Sequence, residues 1–248
     1  MKATEALLAL ADDHLILGQR TAEWTGRSPS LEEELAMANL GLDLVGQARG
    51  LYAHCAELEG RGRSEDDLAF LRLEHEYLNL LLVEQPNEDF AHAQVKNFMF
   101  AAFMAPYWSA AKVSVDPVVA GIAGQAEKES IHHRRYAAEW VVRLGDGTDE
   151  SHARALDALD MLWPFCGELF EMCPSDEDAS KQGILPDRAQ LREPWMATVT
   201  AVLERATLAV PELPMHQTGG RGGRHTEHMG HLLAQLQYMQ RTHPGAQW

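Results

Sequence analysis

The 248-residue sequence is poor in cysteine, and what it has forms no recognisable pair. Cys55, Cys166 and Cys173 occur in no CxxC spacing, and an odd number leaves at least one thiol unpaired. A disulfide framework is therefore excluded as the basis of the fold. We expect buried, unreactive thiols in a reducing cytoplasm.

Basic residues and long hydrophobic runs are also scarce. Acidic residues outnumber Lys and Arg by 37 to 21, and the formal net charge is −16. A surface of this charge repels phosphate backbones and anionic lipids, so neither nucleic acid nor membrane is an expected partner. The longest uncharged stretch, 97–111, is interrupted by Pro106 and is shorter than the roughly 20 apolar residues of a membrane helix. No basic-then-apolar leader opens the sequence, which again favours the cytoplasm.

What the sequence has in abundance is the apolar period of an α-helix, and no stretch alternates as a strand does. Capping residues and Gly or Pro breaks set the expected helix ends. An acidic loop is expected at 173–186 and a Pro- and Gly-rich connection at 211–224. The expected helices are 4–24, 30–59, 64–84, 90–115, 116–144, 150–172, 187–209 and 226–241.

The order of these helices predicts an all-α, ferritin-like four-helix bundle. Two long antiparallel helices, a shorter crossing helix and two more long helices have the topology of a bundle with one long crossover. We expect a single domain over 1–248, with the bundle core in 1–145 and peripheral helices in 146–248.

Ferritin-like bundles often hold two irons, and Glu129 with His132 has the required Glu-x-x-His spacing, with His133 adjacent. The other ligands are missing. The facing helix, 90–115, contains no Asp or Glu, and Gly46 stands where the second His would follow Asp43. Acid-x-x-His pairs also occur about as often as 12 His and 37 acidic residues give by chance. We therefore expect no metal here, and interpret Asp43, Glu129, His132 and His133 as relic positions that pack as polar groups.

The first helix offers two further acids, Asp12 and Asp13, at about the level of the absent site. Both are compatible with a ligand role and equally with solvated surface charges. The sequence leaves these alternatives open.

Several long strings resemble one family from end to end. They are MANLGLDLVGQAR at 37–49, NLLLVEQP at 79–86, RLGDGTD at 143–149 and TGGRGGRHTEHMG at 218–230. Together they resemble the C subunits of multicomponent ring 1,2-phenylacetyl-CoA epoxidases of phenylacetate catabolism.

The resemblance implies a non-catalytic relative of an iron-bearing A subunit, with which it pairs and whose fold it supports. It implies a di-iron centre in that A subunit, and NADPH used through a separate reductase. This chain would bind no cofactor, although phenylacetyl-CoA would reach the interface. Family substrate contacts would correspond to Glu76, Tyr77, Leu78, Asn79, Glu177, Asp178 and Ala179, and the last three depart from the family pattern.

Two other functions compete: an autonomous di-iron oxidase or iron-storage protein, and a stand-alone acyl-CoA-binding protein. The first needs ligands that the sequence lacks, and the net charge disfavours the second. The basic loop with Arg221, Arg224 and His225 suits an anion such as a CoA phosphate, because glycines free backbone N–H groups and two arginines can fork onto an oxyanion. The alternatives are salt bridges to acids of a partner, and a plain loop in which the glycines only allow a tight turn.

Overall fold

The computed structural model describes residues 2–246, which are predominantly α-helical and contain no β-strand. Short 3-10 turns occupy Glu74–Glu76, Trp163–Phe170, Arg188–Leu191 and Gly220–Gly222. None of the helices in this part of the chain is long and apolar enough to cross a membrane. The α-helices are α1 (Lys2–Ala22), α2 (Leu31–Glu59), α3 (Glu65–Phe70), α4 (Leu81–Glu84), α5 (Phe90–Ala111), α6 (Pro117–Gly145), α7 (Asp149–Leu162), α8 (Pro174–Lys181), α9 (Arg192–Arg205), α10 (Glu227–Leu236) and α11 (Tyr238–Thr242).

The helices group into two compact units. The first unit combines the residues up to Pro86 with those from Gly219 onward, and the second runs from Asn87 to Thr218. The first unit is therefore discontinuous in sequence. The expected subdivision of one domain at residue 145 stays a prediction.

In the first unit, α1 and α2 form an antiparallel pair. Ser30 begins α2 by accepting a hydrogen bond from the Glu33 amide at 3.3 Å, and Gly60 ends it in the left-handed conformation. Gly18 and Gly41 let the helices approach closely, because a Cβ at Gly18 would lie 3.4 Å from the Gly41 carbonyl oxygen. A Cβ at Gly41 would likewise lie 3.5 Å from that of Gly18.

In the second unit, α5 is buried on almost every side, which explains its apolar sequence. It packs against α6, α7 and α9, and the Trp195 indole of α9 donates to the Met99 carbonyl oxygen at 2.9 Å. Asp116 caps α6 by accepting from the Val118 amide at 2.9 Å, and Pro117 occupies the first helical turn. Both features were predicted from the sequence.

The fold is thus all-α, with the helix order of a ferritin-like protein: the α1–α2 pair, a shorter crossover, and then the α5–α6 pair. The prediction of fold class is confirmed.

The prediction of one continuous helix over 64–84 is wrong. Ser64 does cap a helix, but α3 ends at Phe70, and the chain is largely extended until α4 begins at Leu81. The amides of Leu78 and Leu80 donate to the carboxylates of Asp12 and Asp13 and not to a helix. In a continuous helix these two amides would donate to helix carbonyl oxygens and could not bind the carboxylates.

Two predictions in the second unit also fail. The helix expected over 150–172 ends as an α-helix at Leu162, before Pro164, and continues as 3-10 turns. The loop expected over 173–186 contains α8. There Pro174 occupies the first helical turn, and Asp176 accepts from the Cys173 amide at 3.2 Å, which stabilises the helix start.

Candidate functional site

The first unit is organised around two adjacent acids of α1, Asp12 and Asp13, both fully buried. Asp12 accepts the Tyr52 hydroxyl at 2.5 Å and the Leu78 amide at 2.8 Å. Both terminal guanidinium nitrogens of Arg72 donate to the same carboxylate, Nη1 at 3.0 Å and Nη2 closer still. The acid is thus neutralised by a bidentate ion pair, the arrangement that a buried carboxylate needs.

Arg72 is itself held on several sides. Its Nε donates to the Leu68 carbonyl oxygen at 2.6 Å, and its guanidinium carbon lies 4.1 Å from the centre of the Tyr77 ring. Burial alone would lower the pKa of Arg72, but the charge and hydrogen bond of Asp12, together with Tyr52 and Tyr77, outweigh burial and raise it. Burial, followed by the same carboxylate, raises the pKa of Tyr52 well above its ordinary value. Arg72 is therefore a fixed cation and Tyr52 a neutral donor.

Asp13 is paired with an arginine from the far end of the chain. Arg221 donates from Nη2 to Oδ2 at 2.6 Å and from Nη1 to Oδ1 at 3.0 Å, and its side chain is only 8% exposed. The same arginine donates to the Leu78 carbonyl oxygen at 2.6 Å, and the Leu80 amide donates to Asp13 at 2.7 Å. One buried acid thus connects α1, the chain before α4, and the glycine-rich segment.

A third buried acid, Glu84, accepts four donors. Its Oε1 receives the amide and hydroxyl of Thr226 at 2.7 and 2.8 Å. Its Oε2 receives Asn79 Nδ2 at 2.9 Å and His225 Nδ1 at 2.7 Å. The other ring nitrogen of His225 faces the Tyr77 carbonyl oxygen at 2.9 Å. Because both nitrogens face acceptors, these surroundings favour the doubly protonated imidazolium.

Glycines make this contact sterically feasible. A Cβ on Gly220 would collide with the Asn79 carbonyl oxygen, and one on Gly223 would collide with that of His75. Gly223 also has a left-handed φ of 69°. We call residues 219–226 the clasp, because they close over 75–84 and join it through Arg221, His225 and Thr226.

The clasp brings the basic residues of the glycine-rich segment next to the expected substrate contacts at 76–79. The expected substrate contacts Glu76, Tyr77, Leu78 and Asn79 lie under it. Tyr77 and Asn79 are fully buried, Leu78 is half-buried, and the Glu76 side chain is exposed. Arg221 and His225 are committed to internal acids, whereas Arg224 is exposed.

The remaining expected substrate contacts lie on α8, in the second unit. Glu177 is exposed and pairs with Lys181 at 3.0 Å, and Asp178 accepts the Gln182 side-chain amide at 2.7 Å. Ala179 is fully buried.

The positions interpreted as relics of a metal site lie on two helices, one in each unit. Asp43 is half-buried on α2 of the first unit. On α6 of the second unit, His132 is exposed, His133 is buried, and Glu129 accepts the Gln125 side-chain amide at 2.6 Å. Among residues 2–246 no group of three or more His, Cys, Asp or Glu is placed to hold a metal ion.

Sequence reasoning missed the ion pairs at the centre of the first unit. Asp12 and Asp13 are fully buried, so the solvated alternative is wrong for both. A signal was present: two charges interrupt the otherwise apolar LLALADDHLIL of α1. An acid pair on a buried helix requires matching cations. The distant partners, Arg72 and Arg221, carry no local signature of that role.

Comparison with known proteins adds the family. A family model described as phenylacetic acid catabolic protein matches residues 1–248. The chain belongs to the phenylacetic acid catabolic protein family.

A curated member of similar length gives a closer likeness. The chain is 45% identical, over 245 residues, to the C subunit of the 1,2-phenylacetyl-CoA epoxidase of Escherichia coli K12. The alignment covers 99% of this chain and 98% of that protein. This member of the phenylacetic acid catabolic protein family is therefore similar to that C subunit along almost its whole length.

The first prediction concerns the arginine of the clasp. Arg221→Met leaves the buried carboxylate of Asp13 without its cation, and we expect it to cost about 3–5 kcal/mol of unfolding free energy. Arg224→Met, at an exposed arginine three residues away, is the matched control and should change stability by no more than about 0.5 kcal/mol. Urea unfolding measures both. Equal effects of the two substitutions would show that the Asp13 pair contributes nothing.

The second prediction concerns the pH dependence that His225 confers. Burial lowers the pKa of His225, but the hydrogen bond and charge of Glu84, with Glu74 nearby, outweigh burial and raise it. Its stabilisation is therefore complete below the unfolded pKa of about 6.5 and is lost as pH rises through the raised folded value. The stability difference between the unaltered chain and His225→Gln should shrink from about pH 5.5 to 8.5.

Urea unfolding across that pH range is the measurement, with His231→Gln, an exposed histidine of α10, as the control. A difference that stays constant with pH would contradict a charged His225.

Proposed function

We propose that this chain is a non-catalytic structural component of a multicomponent phenylacetyl-CoA epoxidase. In this role it pairs with an iron-bearing A subunit and stabilises it. The A subunit would hold the di-iron centre that epoxidises the ring, and a separate reductase would supply electrons from NADPH. The proposal rests on the end-to-end likeness to the C subunit of such an enzyme.

The observation that supports a non-catalytic role is the pairing of the α1 acids. A carboxylate serves an iron through its lone pairs, but those of Asp12 and Asp13 accept guanidinium and amide donors. The guanidinium groups also place positive charge where a cation would otherwise sit, which is unfavourable for a metal. An autonomous oxidase or an iron-storage protein is therefore not favoured.

We propose further that phenylacetyl-CoA contacts this chain around residues 76–79. Asn79 supports this, because its Oδ1 is buried without a hydrogen-bond partner among the described residues. Such an acceptor is costly unless a donor satisfies it. The exposed Arg224 of the clasp is the candidate for a CoA phosphate, and α8, with Glu177, Asp178 and Ala179, is a second candidate contact.

The proposed compartment is the cytoplasm, where the complex would meet acyl-CoA and NADPH. The thiols suit it: burial raises the pKa of Cys55 to about 12 and raises that of Cys166 as well, so both stay protonated and unreactive.

The third prediction tests which of the two subunits binds the iron. Expressed with the A subunit, this chain should co-purify with it, and iron should follow the A subunit. Expressed alone, it should hold almost no iron, because its donors are already engaged. Metal analysis and absorption spectroscopy of each preparation, with the A subunit alone as control, make the comparison. About two irons per isolated chain, with an oxo-bridge absorption band, would refute the proposal.

The fourth prediction tests the phosphate contact in the reconstituted complex. Arg224→Ala should raise KM for the acyl-CoA about tenfold, the loss expected for one charge-assisted hydrogen bond. Arg27→Ala, another exposed arginine of the first unit, is the control. Size-exclusion chromatography measures assembly in parallel. Lost assembly would instead make Arg224 an interface residue, and no change in either quantity would exclude both roles.

A further inference from the structure

Helix α2 carries two apolar stripes. One is buried and faces α1, through residues that include Met37, Leu44 and Leu51. The other, which we call the outer seam, is exposed to solvent: Leu31 is 69% exposed, Leu35 57% and Leu42 68%, with Ala38 between them. Val45 ends the seam; it is 41% exposed, and its Cγ2 also lies beside Gly18 of α1. Such a row of exposed leucines on one helix is unusual for a surface that meets only water.

The spacing of the outer seam is that of a helix–helix contact. Its members follow one another at intervals of four, three, four and three residues, the heptad pattern by which one helix packs along another. The buried stripe already has α1 as its partner. The outer seam has the same type of pattern and, among the described residues, remains exposed.

A glycine beside the seam supports a second helix. Gly46 is exposed next to Val45, and a Cβ added there would meet nothing within 4 Å. Gly18 and Gly41, in contrast, are explained by the close approach of α1 and α2. A glycine inside a helix is destabilising relative to alanine, so Gly46 lowers the stability of α2. No close contact within this chain requires a glycine at this position. The close approach of another backbone would account for it.

The charges beside the seam indicate what kind of helix fits. Glu32 and Glu34 flank the N-terminal end of the seam, while Asn39 flanks its middle and Gly46 its C-terminal end. Arg49, at the next heptad position, is already paired with Glu65 at 3.3 Å. The net charge of −16 makes a second copy of this chain an unfavourable neighbour. Basic side chains on the partner would complement these flanks.

We infer that the outer seam docks one amphipathic helix of a different polypeptide, with an apolar heptad stripe flanked by basic side chains. The inference rests on the proposed function to the extent that the A subunit supplies that helix. The seam is the apolar centre of the contact, and Glu32 and Glu34 set its orientation.

The test measures binding of the isolated chain to the A subunit by biolayer interferometry. Leu35→Gln combined with Leu42→Gln should weaken binding about 100-fold or more, because both side chains lie at the centre of the seam. Leu58→Gln is the matched control: Leu58 lies on the same helix and is 50% exposed, but it is outside the heptad register. It should change affinity by less than about threefold. Thermal melting of each variant shows whether it is folded.

Gly46→Ala gives an independent test, because it should raise the stability of the chain and lower its affinity for the A subunit. It should raise the melting temperature of the isolated chain, since alanine favours the helix, and weaken binding to the A subunit, since a methyl group blocks close approach. Raised melting with unchanged affinity would show that no backbone packs there and would count against the inference.

The remaining outcomes are separable. If the double variant binds as tightly as the unaltered chain, the seam is not the docking surface, although the proposed function stands. If the unaltered chain self-associates in analytical ultracentrifugation and the double variant does not, the occupant is a second copy and the inference is wrong. If the unaltered chain does not bind the A subunit at all, the proposed function fails together with the inference.

Discussion

Two neighbouring carboxylates buried in α1 impose the constraint on which the first unit depends. Neither Asp12 nor Asp13 can be ionised in an apolar interior unless a cation and several donors meet it there. The cations come from Arg72 and Arg221, and the donors include the Leu78 and Leu80 amides. The extended chain before α4 and the position of the clasp both follow from neutralising these two charges.

The same constraint shows how buried acids in a ferritin-like bundle can be neutralised without a metal. A di-iron centre supplies positive charge that balances buried acids, and removing it alone would leave them uncompensated. Here guanidinium groups balance the acids, so the interior stays polar and ordered. This arrangement supports the proposed role of the chain as a scaffold beside an iron-bearing subunit.

The features that the sequence predicted correctly depend on local chemistry. Ser30 at the start of α2 and Asp116 at the start of α6 accept hydrogen bonds from amides two or three residues away. Such local caps can be predicted from the sequence. The helix wrongly expected over 71–80 has apolar residues at suitable spacing, but its conformation is decided by Asp12 and Asp13, more than sixty residues earlier. Arg221 acts across 208 residues. Local helix propensity cannot contain such information.

The discontinuity of the first unit sets an order of events during synthesis. The acids of α1 leave the ribosome early, but Arg221, His225 and Thr226 follow only after the whole second unit. At typical elongation rates that interval lasts on the order of ten seconds. Until then Asp13 and Glu84 have no clasp, and the surface around residues 76–79 is unfinished. A nascent chain therefore cannot present a completed first unit, so closure of the clasp reports that the entire second unit has already been made.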